Sequence, residues 1–190
     1  MTDERAELLE AVKAKGLRYF EEPVRLASGE ESHWFFDAKR ALAEGPDLAA
    51  ACRAMASVAA ELGVTYDAVG GLTMGADQFA HGMAVLTGTR WFVVRKQPKG
   101  RGTNQLVEGA VLGPGVRVLL VEDTVTTGGS IVQAHGSVTD TGATVAAAVT
   151  LVDRGDLAAG WFAERGIPYA AVFTYRDLGI DPVKVGSPTG

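Results

Sequence analysis

The chain has 190 residues, of which 47% are hydrophobic and 22% charged, with a formal net charge of -5. That composition excludes wholesale disorder and suits one soluble domain with one good core. A net negative chain gives no general reason to bind nucleic acid, so no such partner is expected, and an anionic substrate would have to be met by local basic side chains. Cys52 is the only cysteine, which excludes an intramolecular disulfide; its Ala-rich apolar surroundings mark it as a small core residue. The opening MTDERAELLEAVKAKG is acidic and amphipathic, without the hydrophobic region of a signal peptide, and no apolar stretch is long enough to span a bilayer. The expected location is therefore cytoplasmic, with no membrane partner.

Residues 4–15 place apolar side chains at Ala6, Leu8, Leu9, Val12 and Ala14 and meet Gly16 as a stop, which predicts a surface helix. VRLASGEESHWFFDAKRAL, residues 24–42, predicts two short strands around a Ser-Gly-Glu turn, a cap outside the core. Pro46 and Asp47 start a helix over about residues 48–62. From there strand and helix alternate: YDAVGGL a strand, ADQFAHGMAVLTG a helix, RWFVVRK a strand. A basic, glycine-rich segment follows, QPKGRGTNQLVEGAVLGPG, and then VRVLLVE as a strand and GSIVQAHGSVTDTG as a helix. TVAAAVTLVDR is a strand, DLAAGWFAERG a helix and IPYAAVFTY a closing strand, with a polar tail from residue 181 expected to fray. This alternation predicts an α/β fold: a central parallel sheet flanked by helices on both faces.

The richest stretch is VRVLLVEDTVTTGGSI, residues 116–131. Its apolar run is that of a strand buried on both faces, so Glu122 and Asp123 fall at the carboxyl end, where open parallel sheets bind ligands. Adjacent strand side chains face opposite sides, so one acid could meet a sugar or a hydrated metal while the other packs elsewhere. TVTTGGS then offers four hydroxyls, two glycines and a run of backbone donors to a phosphate monoester. It has neither the Gly-Lys-Ser/Thr of a mononucleotide P-loop nor the glycine pattern of a dinucleotide fold. Arg95, Lys96, Lys99 and Arg101 concentrate positive charge in a glycine-rich segment that can open and close, although such a run standing alone would be read as a solvated loop. His33, His81 and His135 are too far apart in sequence to form a ligand-spaced metal pair.

An apolar strand, two acids and a Thr/Gly/Ser loop resemble the phosphoribosyl pyrophosphate (PRPP) signature of type I phosphoribosyltransferases. Four further segments narrow the likeness to orotate phosphoribosyltransferases: RLASGEESHWFFD, VGGLTMGADQFA, VRKQPKGRGTNQLVEG and LVDRGD, in the family's order over about residues 5–178. The resemblance implies a type I phosphoribosyltransferase-like sheet carrying a small N-terminal hood. Residues 1–40 would form the N-terminal helix and hood, 41–178 the PRPP-binding core and 181–190 a tail. It implies transfer of phosphoribosyl from PRPP to orotate, giving orotidine 5′-monophosphate and pyrophosphate, with Mg²⁺ held chiefly by PRPP and reached by Asp123 through water.

By the same resemblance Glu122 and Asp123 would hold the ribose hydroxyls, and Thr124, Thr126, Thr127, Gly128, Gly129 and Ser130 would surround the 5′-phosphate. Thr73, Met74 and Gly75 would present backbone to pyrophosphate. Lys96 would contact pyrophosphate in its own subunit, while Arg95, Lys99 and Arg101 would reach the neighbouring site of a homodimer, with Lys99 and Arg101 catalytic. Phe35 and Phe36 would wall the base pocket with Thr126 nearby, and Arg154 would meet the edge of orotate. Without the resemblance, the two phenylalanines fit core packing and Arg154 a surface position. Three departures bear on rate and substrate: Ala27 stands where many members have lysine before Ser-Gly, Arg101 where the loop often has histidine, and Met74 and Gly75 where some members have Tyr and Lys. They leave open a phosphoribosyltransferase for another base. A non-catalytic PRPP-sensing regulator is the other alternative, disfavoured because the basic loop is retained.

Overall fold

The structure is a computed structural model that describes residues 3–98 and 105–183. Helix α1 (Asp3–Gly16) turns Leu8, Leu9 and Val12 inward, and its first-turn acids and last-turn lysines complement the helix dipole. Strands β1 (Leu17–Arg25) and β2 (Glu31–Phe36) form a separate antiparallel ribbon, the hood. β1 starts well before Val24, the expected beginning. It is mostly exposed and carries a register irregularity between Tyr19 and Val24, so it shows none of the clean alternation that marks a strand in sequence.

Helix α2 (Ala38–Ala41), capped by Asp37, and helix α3 (Gly45–Glu61), with Pro46 in its first turn, lead into the core. The remaining elements are β3 (Ala68–Leu72), α4 (Asp77–Thr87), β4 (Arg90–Val94), β5 (Val107–Gly109), β6 (Arg117–Val125), α5 (Gly129–Thr139), β7 (Thr144–Asp153), α6 (Leu157–Ala163), β8 (Tyr169–Thr174) and α7 (Tyr175–Leu178). Six strands form one sheet in the order β5-β4-β3-β6-β7-β8. All neighbours are parallel except the edge strand β5, which runs antiparallel to β4. That strand falls in the segment expected to be loop, and its three residues are too few to show a period of two.

Alternate residues of β6 serve different layers. Leu119 and Val121 join the core under α1, α3 and α4, whereas Val118 and Leu120 join the one under α5 and α6. Burial on both faces explains the unbroken apolar run before the acids. The order also places a topological switch between β3 and β6: the chain leaves β3 toward β4 on one side, and its later strands fill the other. The crevice outside the carboxyl ends of two such strands is where ligands bind in open α/β sheets. No helix among the described residues is long and apolar enough to cross a membrane.

Candidate active site

At that crevice β3 runs into Thr73-Met74-Gly75 before α4, and β6 into residues 126–128 before α5. These loops, the hood and the end of β4 enclose a cavity of about 870 Å³. Thr73, Met74 and Gly75 line it from one loop, and Glu122, Asp123, Thr124, Thr126 and Ser130 from the other. Phe35 and Phe36 border it from the hood, Arg95 and Lys96 from the end of β4, and Arg154 from the end of β7. Thr127, Gly128 and Gly129 line an adjoining groove of about 400 Å³, which shares Lys96, Thr124, Thr126 and Ser130 with the cavity. Lys99 and Arg101 lie outside the described residues.

The groove has the construction of an anion site. Gly128 is the N-cap of α5, at a φ of 87° that side-chain-bearing residues rarely adopt, and no side chain caps the helix. The first-turn N–H groups and the positive end of the helix dipole are therefore available to an anion. The Ser28 hydroxyl, whose residue also lines the groove, is buried with no hydrogen-bond partner among the described residues.

Glu122 and Asp123 differ in setting, but both reach the same glycine. A Cβ on Gly75 would lie 2.2 Å from Glu122 Oε1 and 2.9 Å from Asp123 Oδ1, so a side chain there would displace the carboxylates from their present places. Glu122 is 4% exposed and accepts from the Asp123 N–H at 3.1 Å. Burial first, and then the charge of Asp123, push its carboxyl up to about 8, so it is largely protonated at neutral pH. Asp123 is half-buried; its Oδ1 accepts from the Thr124 N–H at 2.6 Å, and its Oδ2 lies 3.1 Å from Lys39 Nζ.

The Glu122 setting predicts a pH-dependent stability. An unfolded glutamate ionises near its model value of 4.5 while the folded one holds its proton, so between about pH 4.5 and 8 the unfolded state binds fewer protons. Stability from this group is then greatest below the unfolded value and falls as pH rises through that window, by up to about 1.4 kcal/mol per pH unit. Glu122→Gln, which keeps the acceptor, is expected to be roughly 1–3 kcal/mol more stable than wild type at pH 7.5 and to flatten this slope. Urea unfolding at pH 5, 6.5 and 8 checks it; parallel slopes would mean that Glu122 is ionised in the fold.

Arg154 is not the surface residue that its place after a strand allows. It is 2% exposed, donates from Nη2 to Ser32 Oγ at 3.1 Å, and its Nε has no acceptor among the described residues. Burial lowers its pKa to about 10. Asp153 holds the turn beneath it, accepting from Gly155 N–H at 3.0 Å and from the Tyr169 hydroxyl at 2.8 Å, while Arg154 N–H donates to Val125 O at 2.7 Å. The two phenylalanines occupy opposite faces of β2, as neighbours in a strand must. Phe36 is buried in the core, and Phe35 is 37% exposed.

No family model matches the chain. The orotate phosphoribosyltransferase of Streptomyces coelicolor is 40% identical over 187 residues, covering 95% of this chain and 100% of that protein. The chain belongs to the orotate phosphoribosyltransferase family. The crystal structure of the Mycobacterium tuberculosis orotate phosphoribosyltransferase in complex with PRPP matches with a TM-score of 0.76 at 37% identity, over 93% of this chain and 99% of that one. The orotate phosphoribosyltransferase from Aeropyrum pernix matches with a TM-score of 0.75 at 27% identity, over 90% of this chain and 95% of that one. The resemblance drawn from five sequence segments is thus matched in overall sequence and in fold.

Lys39 is a cavity residue that sequence reasoning missed. Its signal was its position directly after the hood strand, two residues beyond the helix-capping Asp37, but the pairing with Asp123 spans 84 residues. Arg95 borders its own chain's cavity, with Nη1 3.3 Å from Glu108 Oε1. The histidines lie elsewhere: His33 bonds Phe20 O and stacks on Tyr19, while His81 and His135 meet the edges of Trp91 and Trp161. Cys52 is buried in the core, and burial pushes its thiol up to about 11.

Proposed function

We propose that the chain transfers the phosphoribosyl group of PRPP to orotate, releasing pyrophosphate and forming orotidine 5′-monophosphate. The observation that carries this reading is a single crevice in which a helix N-terminus, a carboxylate and a buried guanidinium stand in sequence. The 5′-phosphate sits on the α5 N-terminus among Thr126, Thr127, Gly128, Gly129 and Ser130. Asp123 accepts hydrogen bonds from the ribose hydroxyls, and the protonated Glu122 beside it avoids a second negative charge near the sugar. Thr73, Met74, Gly75 and Lys96 face the pyrophosphate, and Phe35, Thr126 and Arg154 face the base.

In the reaction the bond from the anomeric carbon to a pyrophosphate oxygen breaks, and a bond to the orotate ring nitrogen forms as that nitrogen gives up its proton. Positive charge grows on the sugar and negative charge on the leaving group, and the cations at Arg95, Lys96, Lys99 and Arg101 stabilise the latter. Closure over the cavity excludes water, which would otherwise hydrolyse the activated sugar. Mg²⁺ is part of the proposal. The described residues hold no group of three or more metal-ligating side chains, and a site offering one accessible carboxylate suits an ion bound mostly by phosphate oxygens and water. Asp123 would hold it through water, and bound Mg²⁺ would supply charge neutralisation on the pyrophosphate.

The test is pyrophosphate release by the purified protein with PRPP and Mg²⁺, comparing orotate with uracil, hypoxanthine, nicotinate and no base. Orotate-dependent release with orotidine monophosphate as product is expected. Release with another base alone would move Ala27 and Arg101 from tolerated variation to determinants of specificity. A cytoplasmic homodimer that exchanges its basic loops completes the reading. Mixing inactive Lys99→Ala with inactive Asp123→Asn protein is then expected to restore roughly a quarter of wild-type activity, through mixed dimers holding one intact site. No recovery after confirmed subunit exchange would remove the sharing.

A further inference from the structure

We infer that Lys39 is a pyrophosphate-binding residue whose ammonium rests on Asp123 and turns to the leaving group when the ribose takes that carboxylate. The inference rests on the reading of the cavity as a PRPP site. Its basis is the geometry around one carboxylate. Lys39 Nζ lies 3.1 Å from Asp123 Oδ2, while the other oxygen, Oδ1, faces Gly75, where a Cβ would come within 2.9 Å. The lysine and the Thr73-Met74-Gly75 loop therefore flank the two oxygens of Asp123, and both line the cavity.

The setting of the side chain fits a mobile contact better than a fixed strut. Lys39 is 51% exposed at its side chain, against 16% for Asp123, and is carried on the one-turn helix α2 directly behind the hood strand. An ammonium has three donors on a flexible four-carbon stem, so it can pair with a carboxylate and reach phosphate oxygens as well. Its surroundings call for such a cation. Asp123 pairs with it and Asp77 lies within its field, and Asp77 Oδ1 is buried with no hydrogen-bond partner among the described residues.

The other cavity cations are differently placed. Arg95 is paired with Glu108, and Arg154 is buried against Ser32 Oγ. Among the described cavity cations, Lys39 and Lys96 are the lysines that can join Arg95 in facing a group carrying several negative charges. Ala27 lines the same cavity from the hood turn without a charge, and Lys39 reaches in from α2 with one. When ribose hydroxyls donate to Asp123, the carboxylate's lone pairs are shared and the ammonium is released toward the new anion. The lysine thereby links capture of the sugar to neutralisation of the leaving group.

Wild type, Lys39→Ala and Lys39→Arg are to be compared by steady-state kinetics with orotate and PRPP, and by calorimetric binding of PRPP and of pyrophosphate with Mg²⁺ present. Lys39→Ala is expected to raise KM for PRPP about tenfold and to weaken pyrophosphate binding about tenfold, leaving KM for orotate within about twofold. Lys39→Arg is expected to recover most of both losses. Unchanged pyrophosphate affinity in Lys39→Ala overturns the inference, even if its melting temperature falls, because that pattern belongs to a residue which only holds Asp123. Wild type that binds PRPP and pyrophosphate without using orotate would overturn the choice of base, while the calorimetric difference at Lys39 would still support the inference. Wild type that binds neither overturns the PRPP reading and the inference together.

Discussion

Asp123→Asn is expected to lower kcat/KM for PRPP by about 10²-fold or more, with a melting temperature within a few degrees of wild type. Asparagine preserves the shape of the side chain and the oxygen that accepts from Thr124 N–H at 2.6 Å, so the end of β6 keeps its local bond. What disappears is charge. Hydrogen bonds to a charged group contribute about 1.5–3 kcal/mol each, and a carboxylate facing two ribose hydroxyls would make two of them. Positive charge also develops on the sugar as pyrophosphate departs, so part of the loss falls on kcat and not on binding alone. The Lys39 ion pair is lost too, but with the lysine half exposed its contribution to stability is small. Steady-state kinetics with a thermal melt checks both halves of the expectation. A rate close to wild type would remove Asp123 from the mechanism, and a collapsed melting temperature would make it a folding residue.

Sequence was most informative where one element met one physical rule. Residues 116–122 read as a doubly buried strand because both layers of the core rest on β6, and Glu122 and Asp123 then had to fall at its open end. The helix α5 was legible for a similar reason: glycines and hydroxyls before an apolar periodic run announce an N-terminus. Elements of three or four residues, β5, α2 and α7, were not legible, since no period repeats within them. The hidden part of the site depends on contacts between distant residues. Glu122 looks like an ordinary acid until folding buries it against Gly75, and Lys39 looks like a surface lysine until folding brings Asp123 beside it. Glu122 belongs to the junction between β3 and β6 and Lys39 reaches its neighbour Asp123 from α2, a meeting that a linear pattern does not display.

Arg154 shows most clearly what the fold adds, and it carries the second large effect. Its guanidinium is 2% exposed, has Ser32 Oγ as a partner, and leaves Nε without an acceptor among the described residues. A buried charge without a counter-ion costs several kcal/mol, which the rest of the fold must offset. An anionic base at the cavity wall would provide the missing counter-charge, and orotate carries a carboxylate beside a planar amide edge suited to a fixed guanidinium. Arg154→Met, which keeps the length of the stem and removes the charge, is therefore expected to unfold no more easily than wild type, and to gain on the order of 1 kcal/mol. The same protein should show KM for orotate raised about 10²-fold, with PRPP binding little changed. Denaturant melts and separate titrations of the two substrates read these effects independently. A marked loss of stability with orotate binding intact would make Arg154 a strut between hood and sheet. The expected pattern, a firmer fold with a weaker grip on the base, would mean that the chain keeps a buried guanidinium without a carboxylate partner among the described residues because its substrate completes the pair.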